Sequence, residues 1–160
     1  MVAEKNCVVK ILESCMAAEK TDFLSGRIIN VGTDECKLSG ERGSVYGIAV
    51  KINSKKDKKM IWDTYNGKNE RLQEWKSIED NFYPLYWGKD TNMGSRLHAH
   101  TKKYSSTGSL QLCDKKYEVL SKFEIIYGAI LCSQSNEIEK QLHEKYPDML
   151  AEKMNAKIKG

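Results

Sequence analysis

Tyr86-Trp87-Gly88-Lys89, followed by Arg96 and His100, sets a phenol, a glycine and cationic groups at spacings suited to phosphodiester chemistry. A guanidinium holds a phosphate through paired hydrogen bonds, and an imidazole can move a proton or orient water. The segments that must position these groups can be read locally. Tyr83-Pro84-Leu85-Tyr86-Trp87 reads as a short strand opened by proline and ended at Gly88, where a backbone must turn or be closely approached. The stretch 93–104 carries Met93, Leu97 and Tyr104 at helical intervals, with Asp90, Thr91 and Asn92 available as N-terminal caps. At about 100° per residue, Arg96 and His100 lie within roughly 40° of each other on one helical face, so they can act together.

Two further segments contribute candidates. Residues 43–52 alternate well enough to form a strand carrying Tyr46, and a helix is expected to end before Pro147 and to carry Glu139. Asn136 three residues before Glu139 fits a variant capping box, in which the glutamate satisfies a backbone amide, and Ile138, Leu142 and Tyr146 form the apolar stripe beside which Glu139 sits. His143, one turn on, reads as a surface residue or one that supports another. A tyrosine in a strand is ordinarily a core or cross-strand residue, so the ordered set matters more than any member.

That ordered set resembles the GIY-YIG nucleases. Tyr46 takes the place of the tyrosine in the family's first motif, and Tyr86-Trp87-Gly88-Lys89 the place of the second. Arg96 and His100 match its arginine and histidine on the following helix, and Glu139 its glutamate about two turns before a proline. Serine-valine stands before Tyr46 where the family has glycine-isoleucine. Asp148, Met149 and Leu150 follow Pro147 where an asparagine is common, with Asn155 further on. Residues 53–83 form a long insertion between strands that the family often joins by a short hairpin. The resemblance implies a compact α/β fold, with a small, mainly antiparallel central sheet of about three strands flanked by helices. It implies a metal-dependent DNA endonuclease of restriction or phage type. Glu139 would hold Mg²⁺ or Mn²⁺, Tyr46 would act as base with Tyr86 positioning water, or the two tyrosines would exchange these roles, and Lys89 would lower a tyrosine pKa or bind phosphate. Arg96 would clamp the scissile phosphate and His100 assist proton transfer. A structure-selective repair nuclease and a non-catalytic nucleic-acid-binding module are the alternatives.

Composition agrees with one domain over residues 1–160, with 1–42 an N-terminal extension and 43–150 the core. A net charge of +4 is supplied mostly by lysine. Lys55, Lys56, Lys58 and Lys59, and then Lys102 and Lys103, form clusters that read either as solvated loops or as contacts to a phosphate backbone. Five cysteines without paired CxxC spacing suggest neither a disulfide framework nor zinc. No apolar run is long enough to span a bilayer, and Glu4, Lys5 and Asn6 interrupt any signal peptide, so a cytoplasmic protein is expected. A homodimer would match a palindromic target.

Along the chain, helical spacing predicts a helix over 7–16, and Arg27–Val31 reads as a short strand. A charged helix is expected over 68–80, with Leu72, Trp75 and Ile78 on one face and Trp62 and Trp75 as packing anchors. Ser105 to Gly108 reads as a polar turn able to hold phosphate, and 123–131 as a buried strand.

Overall fold

The computed structural model describes residues 5–15, 23–28, 42–66, 70–92, 119–120, 122–132 and 135–149. Its centre is a four-stranded antiparallel sheet, one strand more than expected, in the order β1-β4-β2-β3. The strands are β1 (Phe23–Ile28), β2 (Arg42–Lys51), β3 (Phe82–Asn92) and β4 (Ile125–Leu131). The helices are α1 (Cys7–Ser14), α2 (Lys55–Asn66) and α3 (Ser135–Lys145), with a 3₁₀ turn at Glu70–Glu74. Among the described residues no helix is long and apolar enough to cross a membrane.

Alternation along β2 divides the core into two clusters. Tyr46, Ile48 and Val50 face Leu85, Ile125 and Ala129 together with Ile61, Trp62, Tyr65 and Trp75 of the insertion. Val45 and Ala49 face the opposite way, toward Trp87, Ile126, Ile130 and the apolar sides of α1 and α3. The helix expected at the N-terminus forms and packs there. Asn6 caps it by accepting from the Val9 N–H at 3.1 Å, and its own amide donates to the Tyr127 carbonyl at 2.8 Å.

Several local expectations are corrected. The first strand starts earlier than residue 27, because Ser25 and Gly26 interrupt its apolar pattern while β4 still pairs with it from Phe23 to Ile28; residues 29–31 of the expected strand lie outside the described residues. The lysine-rich segment is not a loop but α2. Ser54 Oγ accepts the Asp57 N–H at 3.1 Å, and Ile61, Trp62 and Tyr65 bury the side opposite the lysines. Among the described residues of the helix expected over 68–80, Glu70–Glu74 forms a 3₁₀ turn and residues 75–78 are not helical; Asp80 and Asn81 hold positive φ of 51° and 64° in a two-residue turn between Glu79 and Phe82. Trp75 and Trp62 do serve as anchors: their ring centroids lie 5.7 Å apart, and Trp75 Nε1 donates to the Pro84 carbonyl at 2.7 Å.

Strand β3 does not stop at Gly88. It runs to Asn92, with Asp90 paired to Ser44 and Asn92 to Arg42 of β2. Pro84 is its third residue and not its first, which an edge strand tolerates. The helix expected over 93–104 and the turn at 105–108 lie outside the described residues.

Candidate functional site

Tyr46 and Tyr86 meet on one side of the β2–β3 pair. Their ring centroids are 6.3 Å apart with planes inclined at 44°. Two sequence features bring this about. The register between β2 and β3 shifts beyond Ile48, which pairs with Tyr86 while Ala49 pairs with Pro84, leaving Leu85 as the extra residue of a bulge. Simple alternation would send Leu85 and Tyr86 to opposite faces; the bulge lets both join the cluster that contains Tyr46. The second feature is Gly88, which pairs directly with Tyr46. A Cβ built there would overlap the phenol oxygen and Cζ of Tyr46, so the glycine is needed for cross-strand space rather than for a turn.

The helix α3 supplies the acidic and imidazole groups. Ile138 and Leu142 are buried one turn apart, and Glu139 and His143 follow them on the adjoining stripe. The His143 ring approaches Tyr86 edge-on with centroids 6.3 Å apart. Its Nε2 lies 3.3 Å from Glu139 Oε1 and its Nδ1 2.7 Å from Asp148 Oδ1. Asp148, with a side chain only 2% exposed, accepts the Trp87 N–H on its other oxygen at 2.9 Å. Burial alone would lower the His143 pKa, but hydrogen bonds to Asp148 and Glu139 outweigh it and raise the value from 6.5 to about 10. Burial pushes the Asp148 carboxyl above the usual carboxylate range, opposed by the hydrogen bonds from His143 and the Trp87 N–H. The Trp87 N–H donates to one Asp148 oxygen and the other meets His143 Nδ1, an arrangement that suits an ionised carboxylate beside a protonated imidazole.

The capping box read for Asn136 and Glu139 does not form. Asn136 is the second residue of α3, where its Oδ1 accepts from Lys89 Nζ, and Glu139 turns to His143. Lys89 is set apart from the tyrosine pair. It pairs with Val45, which belongs to the opposite face, so the cation placed beside Tyr86 is His143 instead. Arg96, His100, Lys102 and Lys103 lie outside the described residues. Lys55, Lys56 and Lys59 project into solvent from α2. Lys58 is half-buried with its ammonium 5.5 Å from the Tyr83 ring centre, and burial, then Lys76 and Lys55, lowers its pKa.

A metal-ligating role can be tested on the donors present. Among the described residues no group of three His, Cys, Asp or Glu side chains is gathered as a metal cage. Glu139 uses Oε1 toward His143, and among the described residues Oε2 takes no hydrogen bond. One open carboxylate oxygen fits a hard cation that keeps waters and takes phosphate oxygens, as Mg²⁺ does, and does not fit a closed zinc site. The contribution of Asp148 was missed in the sequence. The signal for His143 was present in its i+4 spacing from Glu139, whereas the link from Asp148 to β3 is tertiary. Comparison of the chain with protein-family models, curated proteins and solved structures gives no match.

Proposed function

We propose that this chain is a metal-dependent DNA endonuclease that hydrolyses phosphodiester bonds, of site-specific restriction or phage type. The observation that carries this reading is the gathering of Tyr46, Tyr86, His143 and Glu139 beside the β2–β3 pair, with Gly88 clearing the space for one phenol. A phenol of ordinary pKa, about 10, activates water only where positive charge favours its ionised form. His143 supplies that charge at the edge of Tyr86. Tyr86 is half-buried and Tyr46 only 1% exposed, so Tyr86 is assigned the contact with water and Tyr46 the support behind it. Glu139 offers one oxygen to Mg²⁺ or Mn²⁺, which when bound neutralises charge on the phosphate and the leaving oxygen. The family resemblance assigns Arg96 to the scissile phosphate and His100 to proton transfer. The exposed lysines of α2 extend the contact along the duplex.

The test is incubation of supercoiled plasmid with the protein in Mg²⁺, Mn²⁺ or EDTA, beside Glu139→Ala. Discrete metal-dependent fragments, lost in the variant, are expected. Cleavage confined to branched DNA moves the assignment to a structure-selective nuclease. DNA binding without cleavage of either substrate in any metal overturns the enzyme reading in favour of a binding module.

A further inference from the structure

An isolated glutamate and histidine one helical turn apart would be unremarkable. What distinguishes Glu139 and His143 is that the imidazole is also gripped from outside the helix. Asp148 lies beyond the end of α3, is almost wholly buried, and spends its two oxygens on different elements, one on His143 and one on the Trp87 N–H of β3. The neighbouring Met149 N–H donates to the Pro84 carbonyl at 3.2 Å, and Trp87 Nε1 donates to the Tyr146 carbonyl at 2.8 Å, so the whole segment is laced to the outer edge of β3. Both ring nitrogens of His143 face carboxylate oxygens, which only accept, and this fixes the ring in two directions.

We infer that His143, seated on Asp148, is a positioning residue that sets the Glu139 carboxylate against the Tyr86 strand for a divalent cation. The inference rests on the endonuclease reading given above. A continuous line runs from the Trp87 N–H through Asp148 and His143 to Glu139, so the strand that carries Tyr86 and Gly88 and the helix that carries the acidic ligand are held in one register. Oε1 is occupied by the imidazole, and Oε2 is left for the cation.

The experiment is a Mn²⁺ binding isotherm on the full chain for wild type, Glu139→Ala, His143→Ala, His143→Gln and Asp148→Asn, with melting curves and plasmid cleavage measured in parallel. His143→Ala is expected to weaken Mn²⁺ about tenfold or more, the usual effect of removing a residue that orients a metal ligand. It should lower kcat while leaving KM for DNA unchanged. His143→Gln, whose amide can still donate to Glu139, should recover much of the affinity. Asp148→Asn should weaken Mn²⁺ although Asp148 does not touch the cation. Wild-type Mn²⁺ affinity in folded His143→Ala, with affinity lost in Glu139→Ala, overturns the positioning role and leaves the endonuclease reading standing. Absence of both Mn²⁺ binding and cleavage in the wild type overturns both. Equal loss in His143→Ala and His143→Gln at unchanged melting temperature also overturns it, because the hydrogen bond to Glu139 would then not be what matters.

Discussion

The two faces of the sheet are built from the same strands and do different work. Behind β2, Val45, Gly47 and Ala49 meet α1, α3 and Trp87 in an apolar contact so close that a Cβ on Gly47 would overlap the Trp87 ring. The buried Cys7 thiol on that side is pushed up to about 11 by burial, with Glu79 and Asp80 adding to the shift, and so stays neutral. In front, Ser44, Tyr46, Ile48 and Val50 face a surface with phenols, the Trp75 indole N–H and, beside Tyr86, the His143 imidazole. Ser44 Oγ is buried there without a hydrogen-bond partner among the described residues. One residue of displacement along β2 therefore separates a wholly apolar cluster from one that packs as tightly but also carries polar groups, and effects on activity should sort by that parity.

Trp75→Ala is the largest perturbation and the hardest test of the division. Loss of a fully buried indole should cost about 3–5 kcal/mol in urea unfolding. Trp75 lies on the polar face yet is given no part in the chemistry, so cleavage per folded molecule should persist; its disappearance would break the comparison. Next come two adjacent cross-strand positions of opposite parity. Gly88→Ala and Gly47→Ala should each cost about 1–3 kcal/mol from overpacking. Only Gly88→Ala, which displaces the Tyr46 phenol, should also reduce cleavage per folded molecule, by about 100-fold. Equal activity in the two variants would show that parity does not separate function from packing.

A smaller effect follows from His143, which faces Glu139, Asp148 and the Tyr86 ring. Its folded pKa of about 10 lies above the unfolded value near 6.5, so the protonated ring stabilises the fold fully below the lower value. That contribution should decline as pH rises from 6.5 through 10, and melting temperatures of wild type and His143→Gln should converge over this range. A constant difference would remove the imidazolium from the front face. The smallest change in stability is expected for Lys55→Ala and Lys56→Ala on the solvent side of α2, within about 0.5 kcal/mol. Each should nevertheless lower the salt dependence of DNA affinity by a slope of about 1 if it contacts a phosphate; an unchanged slope would place the duplex elsewhere.

How far the sequence could be read varies with the range of the interaction concerned. Tyr46, Tyr86 and Glu139 were singled out from short motifs, and the structure sets Tyr86 against Tyr46 and against His143, whose imidazole in turn meets Glu139. Lys89 shows the limit of linear spacing: two residues past Trp87, which packs behind the sheet, it shares that side, and strand alternation alone would have said so. The bulge at Leu85 left no local mark, because the extra residue is defined only by its partner strand. Helix α2 was legible in its Ser54 cap and in Ile61, Trp62 and Tyr65, but the lysines between them read as solvent-facing loop. The helix expected over 68–80 is replaced by a 3₁₀ turn that ends at Glu74, and the chain then reverses at Asp80 and Asn81, residue types suited to the left-handed turn they adopt. Asp148 could be noticed only as a replacement for asparagine, since its bond to Trp87 joins residues far apart in the chain.

The position of β4 between β1 and β2 also imposes an order in time. The β2–β3 hairpin with α2 draws on residues close in sequence, but Phe23 must wait for Ile130 before it has a partner, and the Asn6 amide must wait for the Tyr127 carbonyl. During synthesis the first strand therefore emerges long before its neighbour exists. Closing so long a loop is entropically costly and slows folding, so the hairpin that carries both tyrosines forms early and the N-terminal strand docks last.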